Sequence, residues 1–92
     1  MKTTDDLKFL AALGLRIKAT RKLRHLSQSQ LAILCDIEKG SFSRIEAGKI
    51  NITILTIHTI ARALKVSVSS LCEGESHKMS VHDLEPAMHE VI

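Results

Sequence analysis

Residues 27–48 read SQSQLAILCDIEKGSFSRIEAG and predict two short helices joined by a turn of three residues. Ser27 can cap the first of these helices, and Gln30 three residues later completes the S-x-x-Q form of a capping box. We expect this helix over residues 28–35. Its buried side chains should be Leu31, Ala32 and Leu34.

A polar interruption at residues 36–38, with Ile37 as its one apolar anchor, separates this helix from the next one. Directly after it, Phe42 and Ile45 lie three residues apart, which is the spacing of one face of a helix. Gly48 is a typical residue at which a helix ends. A second short helix is therefore predicted from residue 39 to near Gly48.

Helical periodicity continues on both sides of this pair. A longer helix over residues 6–24 is predicted from Leu10, Leu13 and Ile17, with Gly14 as its one weak position. Thr53 is a suitable N-cap for a fourth helix, and Ser67 can cap a last turn that buries Leu71. The expected buried face of the fourth helix consists of Ile54, Ile57, Ala61 and Leu64. The prediction is an all-α domain over residues 6–74, a compact bundle of five helices.

The pattern resembles the Cro and phage-repressor (Xre) class of helix-turn-helix proteins. The resemblance extends over about residues 13–71 and includes LSQSQLA at 26–32, FSRIEAG at 42–48 and IARALKVS at 60–67, with apolar Ile37 and Leu71. It implies a bundle of the lambda-repressor-like type, in which the second short helix is the recognition helix that enters DNA.

Four positions differ from the pattern of that family. The glycine of the inter-helix turn is replaced by Asp36, which can adopt the left-handed backbone at a modest cost. The glycine before the first of the two short helices is replaced by His25, and the proline before the fourth helix is replaced by Ile52. Gly40 lies inside the recognition helix, where glycine costs about 1 kcal/mol relative to alanine. Such a glycine predicts that something approaches the helix closely there.

Side chains on the outer face of the recognition helix are the predicted DNA contacts, because an α-helix fits the ~12 Å width of the major groove. Lysine and arginine donors suit guanine O6 and N7, and a serine hydroxyl can contact a base or a phosphate. The predicted base-reading residues are Lys39, Ser41 and Arg44, and the predicted phosphate-binding residues are Gln28, Ser43, Lys49 and Asn51. For Lys39 and Arg44, the alternative is an ordinary solvated charge.

Basic residues of the first helix have two interpretations. The resemblance implies that Arg21 pairs with Glu46 and ties the first helix to the end of the recognition helix, a structural role without base contact. Arg21 belongs to a run of basic residues that also contains Arg16, Lys18, Lys22 and Arg24. For Arg16 and Lys22, both a place on a solvated helix face and a phosphate contact stay open.

Size and composition limit the classes of function. A chain of 92 residues has room for one small domain, and with two Phe and no Trp or Tyr its core must be aliphatic. The net charge of +3 is uneven, since residues 1–24 contain seven basic and two acidic side chains. No apolar run approaches the ~18–20 residues that span a bilayer, so we expect a cytoplasmic protein without a membrane partner. Cys35 and Cys72 lack CxxC spacing and are expected to be free thiols or buried apolar residues.

Enzymatic and metal-dependent functions find little support in the sequence. It contains no Gly-x-Ser-x-Gly elbow, no glycine-rich phosphate loop and no HExxH pair, and we expect no cofactor. His77, His82 and His89 are spaced by five and seven residues, so they do not share one helix turn, and we expect no metal site.

The predicted function is sequence-specific binding to double-stranded DNA by a transcriptional regulator. We expect a repressor that acts as a homodimer on a palindromic operator, with half-sites one helical turn, ~34 Å, apart. Apolar Ile50, Ile52 and Leu55 are the predicted dimer contact. The alternative is the antitoxin of a toxin–antitoxin pair, which would bind a toxin protein and also repress its own operon.

An acidic tail is predicted over residues 75–92, which contain one basic and four acidic side chains. Apolar residues recur in it at helix-like or strand-like spacing, at Val81, Leu84, Met88, Val91 and Ile92. Two interpretations stay open: the tail binds a partner or the dimer mate, or it is disordered.

Overall fold

The computed structural model describes residues 2–73, and these form five helices. They are α1 (Thr4–Leu23), α2 (Gln28–Leu34), α3 (Lys39–Glu46), α4 (Ile54–Leu64) and α5 (Val68–Glu73). The described residues contain no strand, and the predicted all-α fold is confirmed. None of these helices has both the length and the apolar composition that crossing a bilayer requires. The predicted boundary at Gly74 and the tail at 75–92 lie outside the described residues.

Hydroxyl side chains fix where the helices begin. Ser27 Oγ accepts from the Gln30 amide at 3.0 Å and Gln30 Oε1 accepts from the Ser27 amide at 2.7 Å, so the predicted capping box is confirmed. The predicted start of the first helix at residue 6 is wrong, because a second capping box between Thr3 and Asp6 begins α1 at Thr4. The other two hydroxyl caps are Thr53 and Ser67, as predicted.

Among residues 2–73, three residues other than glycine have left-handed backbone conformations at or just after helix ends. Asp36 has φ 56° between α2 and α3, as predicted from its place in the turn, and His25 has φ 59° between α1 and α2. Lys65 has φ 62° at the C-cap of α4, which the sequence did not lead us to expect. Each costs roughly 1–2 kcal/mol relative to a right-handed residue, so the packing of the helices must offset the strain.

The core is aliphatic around a single buried Phe42, as the composition predicted. Among the residues predicted to be inside, those with little or no exposure are Leu10, Leu13, Ile17, Leu31, Ala32, Phe42, Ile45, Ile57, Ala61, Leu64 and Leu71. Cys35 is also buried, and desolvation raises the pKa of its thiol, which keeps the sulfur uncharged and unreactive. Cys72 is half-buried, and both cysteines are free thiols.

Two predicted core positions are wrong. Leu34, the last residue of α2, is 59% exposed, and Cys35 beside it takes the buried place. Ile54, the first residue of α4, is 71% exposed, as is Leu55 beside it, because the buried part of α4 begins only at Ile57. Ile60, which the predicted face omitted, is completely buried.

Gly14 brings α1 against the C-terminal end of α3. A Cβ added to Gly14 would overlap the Glu46 carbonyl oxygen and would lie 2.7 Å from the carbonyl oxygen of Ile45. The residue that lowers the helix propensity of α1 is therefore required by packing. A Cβ at Gly40 would have no neighbour nearer than 3.6 Å, so the close approach expected at Gly40 is not made within the described protein.

A buried ion pair fixes the position of α3. Arg21 Nε donates to Glu46 Oε2 at 2.7 Å, and Arg21 Nη2 donates to Glu46 Oε1 at 3.1 Å. The third nitrogen, Nη1, donates to the carbonyl oxygen of Leu26 at 2.9 Å. One guanidinium thus joins the end of α1, the loop before α2 and the end of α3.

Alanine at the two helical glycines should have opposite effects on stability. The added methyl group of Gly14→Ala overlaps the backbone of α3. The free energy of unfolding should fall by about 1–3 kcal/mol, the usual range for overpacking. Gly40→Ala makes only ordinary van der Waals contacts, with Glu38 and Arg44, and should leave stability unchanged or raise it by up to about 1 kcal/mol. Urea denaturation of both variants checks this. Equal effects would contradict the tight contact at Gly14.

Removing one charge of the buried pair should be far more costly than removing a surface charge. Glu46→Gln keeps the shape of the side chain but leaves the Arg21 guanidinium buried without its counter-charge, which costs about 3–5 kcal/mol. Glu38→Gln, at an exposed carboxylate, should change stability by no more than about 0.5 kcal/mol. Thermal and urea unfolding measure both. Similar melting temperatures would show that the pair contributes little.

Candidate DNA-binding surface

Helix α3 presents one face to solvent and the opposite face to the core. Phe42 and Ile45 are buried, and α3 packs against both α1 and α2. Lys39, Ser43 and Arg44 are exposed, and Ser41 is half-buried. The three residues predicted to read bases therefore lie on the outer side of a helix that α2 supports from behind.

Two of the predicted base-reading residues, Ser41 and Arg44, make side-chain hydrogen bonds within the protein. Arg44 Nη2 donates to Ser41 Oγ at 3.4 Å, and Ser41 Oγ donates to Glu38 Oε1 at 3.4 Å. Glu38 is the N-cap residue of α3, but its side chain makes no capping hydrogen bond. The sequence interpretation treated Glu38 only as part of the turn, although the i, i+3, i+6 spacing of these residues places them on one face.

Gln28 is held by the buried ion pair. Its Nε2 donates to Glu46 Oε1 at 3.0 Å, so this amide and the Arg21 guanidinium share one carboxylate. No local sequence pattern predicts this contact, because the two residues are 18 positions apart. A glutamine amide group has two N–H donors, which leaves one for a phosphate oxygen.

The four predicted phosphate-binding residues do not all line the same groove. Gln28 and Ser43 line one groove between α1 and α3, together with Lys18, a cation that the sequence interpretation did not select. Lys49 is exposed just after α3. Asn51 is exposed and lines a different groove, beside Lys2 near the start of α1. Two of the four therefore line a common groove, and Asn51 lines another.

Arg16 of α1, for which a phosphate contact was open, and Arg24, the C-cap residue of α1, both bind helix ends. Arg16 donates from Nε to the carbonyl oxygen of Leu71 and from Nη2 to that of Cys72 at 2.6 Å. Arg24 Nε donates to the carbonyl oxygen of Leu64 at 2.9 Å. These contacts satisfy carbonyl groups that a helix end leaves without partners. The phosphate contact considered for Arg16 is therefore replaced by a structural role, whereas Lys22 is exposed.

Comparison with known proteins identifies the family of this chain. The sequence profile of the helix-turn-helix family matches residues 17–71. An immunity repressor protein of Bacillus phage phi105 is 36% identical over 63 residues, which cover 68% of this chain and 44% of that protein. The chain thus spans less than half the length of that curated relative.

Solved structures share the fold. The restriction-modification controller protein C.AhdI from Aeromonas hydrophila superimposes with a TM-score of 0.66 at 29% identity, over 67% of this chain and 94% of that one. An HTH_3 family transcriptional regulator from Vibrio cholerae gives a TM-score of 0.67 at 33% identity, over 72% of this chain and 37% of that one. The clp gene regulator ClgR from Corynebacterium glutamicum, at 19% identity, shares the fold, with a TM-score of 0.71 over 90% of this chain and 88% of its own.

The sequence match covers the turn between α2 and α3 and the helices that support it, and its relatives are regulators rather than enzymes. The chain belongs to the helix-turn-helix family, in its Cro and phage-repressor (Xre) class, a family of DNA-binding transcription regulators.

Proposed function

We propose that the protein is a sequence-specific DNA-binding repressor that acts in the cytoplasm as a homodimer on a palindromic operator. One observation carries the proposal: the exposed face of α3, with Lys39 and Arg44, is held rigidly from behind by the Arg21–Glu46 pair and by Phe42. A helix braced in this way can lie in the major groove with its first turns against base edges.

The side chains of this surface divide into two roles. Arg44 offers paired donors that match guanine O6 and N7, and Lys39 offers a single cationic donor. Ser41, next to Arg44, contributes a hydroxyl to the same face. The proposed phosphate contacts, which fix the position of α3 without reading sequence, are Gln28, Ser43, Lys49 and Asn51.

Repression is the direction of regulation that the relatives favour. The phage phi105 relative is named an immunity repressor, and the C.AhdI structure is that of a restriction-modification controller. A protein that occupies an operator next to a promoter excludes polymerase sterically, and this needs no surface beyond the DNA-binding one.

An exposed apolar surface at α4 supports the proposed homodimer. Ile54 and Leu55 are each 71% exposed, and Leu34 borders the same helix where it lines a groove with Thr59. Ile50 and Ile52, the other members of the predicted dimer contact, are half-buried against the core, so they do not form its centre. A self-complementary patch of this kind suits a two-fold contact that sets the half-site spacing.

The antitoxin alternative adds a protein partner to the same DNA-binding domain. It is a separate proposal, and purification from the native host tests it directly. A second polypeptide that remains bound to this chain through size exclusion, and that is toxic when expressed alone, would support the antitoxin function over that of a simple repressor.

Base-reading and phosphate-binding residues should respond differently to truncation. Arg44→Ala or Lys39→Ala should lower affinity for the preferred site by about 1–3 kcal/mol and relax the preference at one base position. Lys49→Ala should weaken preferred and random DNA alike, and it should reduce the slope of log affinity against log salt by ~0.9. Binding to a panel of operator variants at two salt concentrations measures both effects.

Binding to the same panel of operator variants can also contradict these assignments. If Arg44→Ala and Lys39→Ala weakened binding to every sequence equally, both residues would be phosphate contacts, and direct readout by α3 would be wrong. The melting temperature of each variant serves as the control for folding.

A charge placed in the proposed dimer surface should separate the subunits. Leu55→Lys should shift sedimentation equilibrium at tens of micromolar toward the 10.2 kDa monomer and weaken operator binding. Leu23→Lys is the matched control, because Leu23 is 77% exposed on α1 and lies outside the proposed contact. A wild-type protein that sediments as a monomer, both free and with operator DNA, would contradict the homodimer.

A further inference from the structure

We propose that Glu38 is a specificity-determining residue, which acts beside Arg44 to select one orientation of a G·C base pair. In this proposal, Arg44 donates to guanine while the Glu38 carboxylate accepts from the N4 amino group of the paired cytosine. The inference rests on the proposed function, since it requires α3 to enter the major groove.

The first support is the arrangement of three side chains along α3 and its N-cap residue. Glu38, Ser41 and Arg44 follow one another at intervals of three residues, so they lie along one face of the helix. The Ser41 hydroxyl connects them, because its oxygen accepts from Arg44 Nη2 and it donates to Glu38 Oε1, both at 3.4 Å. An acceptor and a set of donors are therefore presented side by side on the surface proposed to meet DNA.

The second support is the space above Gly40. A Cβ at this position would lie 3.6 Å from Glu38 Oε1 and 3.8 Å from Arg44 Nη1, so the carboxylate and the guanidinium both flank the bare backbone of Gly40. A larger residue would place its side chain between them. The glycine that supplies no base contact of its own thus leaves room for a base edge to reach both charged groups.

The charged groups remain available to a ligand. Within residues 2–73, the only ion pair with its nitrogen and oxygen within 4.0 Å is Arg21–Glu46. Glu38 and Arg44 therefore do not neutralise each other directly. Their contacts through Ser41, at 3.4 Å, are long for hydrogen bonds and exchange readily for shorter ones. The Glu38 carboxylate is also not engaged in capping α3.

The hydrogen-bonding pattern of base pairs then decides the ligand. In the major groove a G·C pair presents two acceptors, guanine N7 and O6, next to one donor, cytosine N4. Arg44 and Glu38 present the complementary order of two donors and one acceptor. Reversing the pair places the donor against arginine, and an A·T pair places the O4 acceptor of thymine against a carboxylate. The carboxylate also repels phosphates, which disfavours binding at wrong sites.

Selection from a pool of randomised duplex DNA by the full chain defines the preferred site and tests the proposal with single substitutions. Glu38→Ala should lose the preference for cytosine opposite the guanine read by Arg44, with discrimination at that pair falling on the order of 10-fold. Affinity for random DNA should stay equal or rise, because a negative charge has been removed from the interface.

Matched variants separate the contact from the charge. Glu38→Asp keeps the charge but shortens the reach, so it should lose discrimination at the same base pair without gaining affinity for random DNA. Glu73→Gln removes an exposed acidic charge from α5 and should leave the base preferences unchanged.

Two failures can be told apart. If Glu38→Ala changed the affinity for all base-pair variants by one common factor while Arg44→Ala still relaxed a single position, Glu38 would act through charge alone, and the inference would be overturned with α3 still reading DNA. If the wild-type chain showed no sequence preference in the selection, the proposed function itself would fail. Unchanged melting temperature of Glu38→Ala excludes misfolding as the cause.

Discussion

The buried carboxylate of Glu46 is the point on which the DNA-binding unit depends. It accepts two hydrogen bonds from Arg21 at the end of α1 and one from Gln28 at the start of α2, while Glu46 itself ends α3. A buried pair offsets its desolvation cost only when its hydrogen-bonding groups are satisfied, and the described residues leave no buried side-chain nitrogen or oxygen without a partner. The angle between α2 and α3 is therefore set by electrostatics as well as by apolar packing.

The other arginines of α1 show why charge counting overstates the DNA-facing potential of this helix. Arg16 and Arg24 donate to carbonyl groups at the ends of α5 and α4, and Arg21 is neutralised by Glu46. The fork of a guanidinium reaches two acceptors at once, which suits contacts with helix ends and carboxylates, whereas the compact, strongly hydrated ammonium of Lys18 and Lys22 stays in solvent. Of the seven basic residues among 1–24, the three arginines make these structural contacts, which leaves the four lysines as candidates for phosphate contact.

Local signals predicted most of the fold, and tertiary contacts account for what they missed. The capping box at Ser27, the left-handed Asp36 and the buried Phe42 depend on neighbouring residues or on helical period, so the sequence reveals them. The exposure of Leu34 and Ile54 depends on the tertiary packing of the helices, which no local pattern contains. The same limit applies to the site, since α3 and its outward face could be predicted, but the contact of Gln28 with Glu46 and the roles of Arg16 and Gly14 could not.

The two ends of α3 have different tasks. Its C-terminal end is fixed by Ile45, by the ion pair of Glu46 and by the contact with Gly14. Its N-terminal end has no side-chain cap, unlike α1, α2 and α4, and Lys39 and Gly40 at this end are exposed. An eight-residue helix is too short to be stable alone, and its order must come from the anchored end. Substitutions near the start of α3 should therefore change the surface proposed to contact bases while the fold is retained, because the contacts that fix this helix lie at its opposite end.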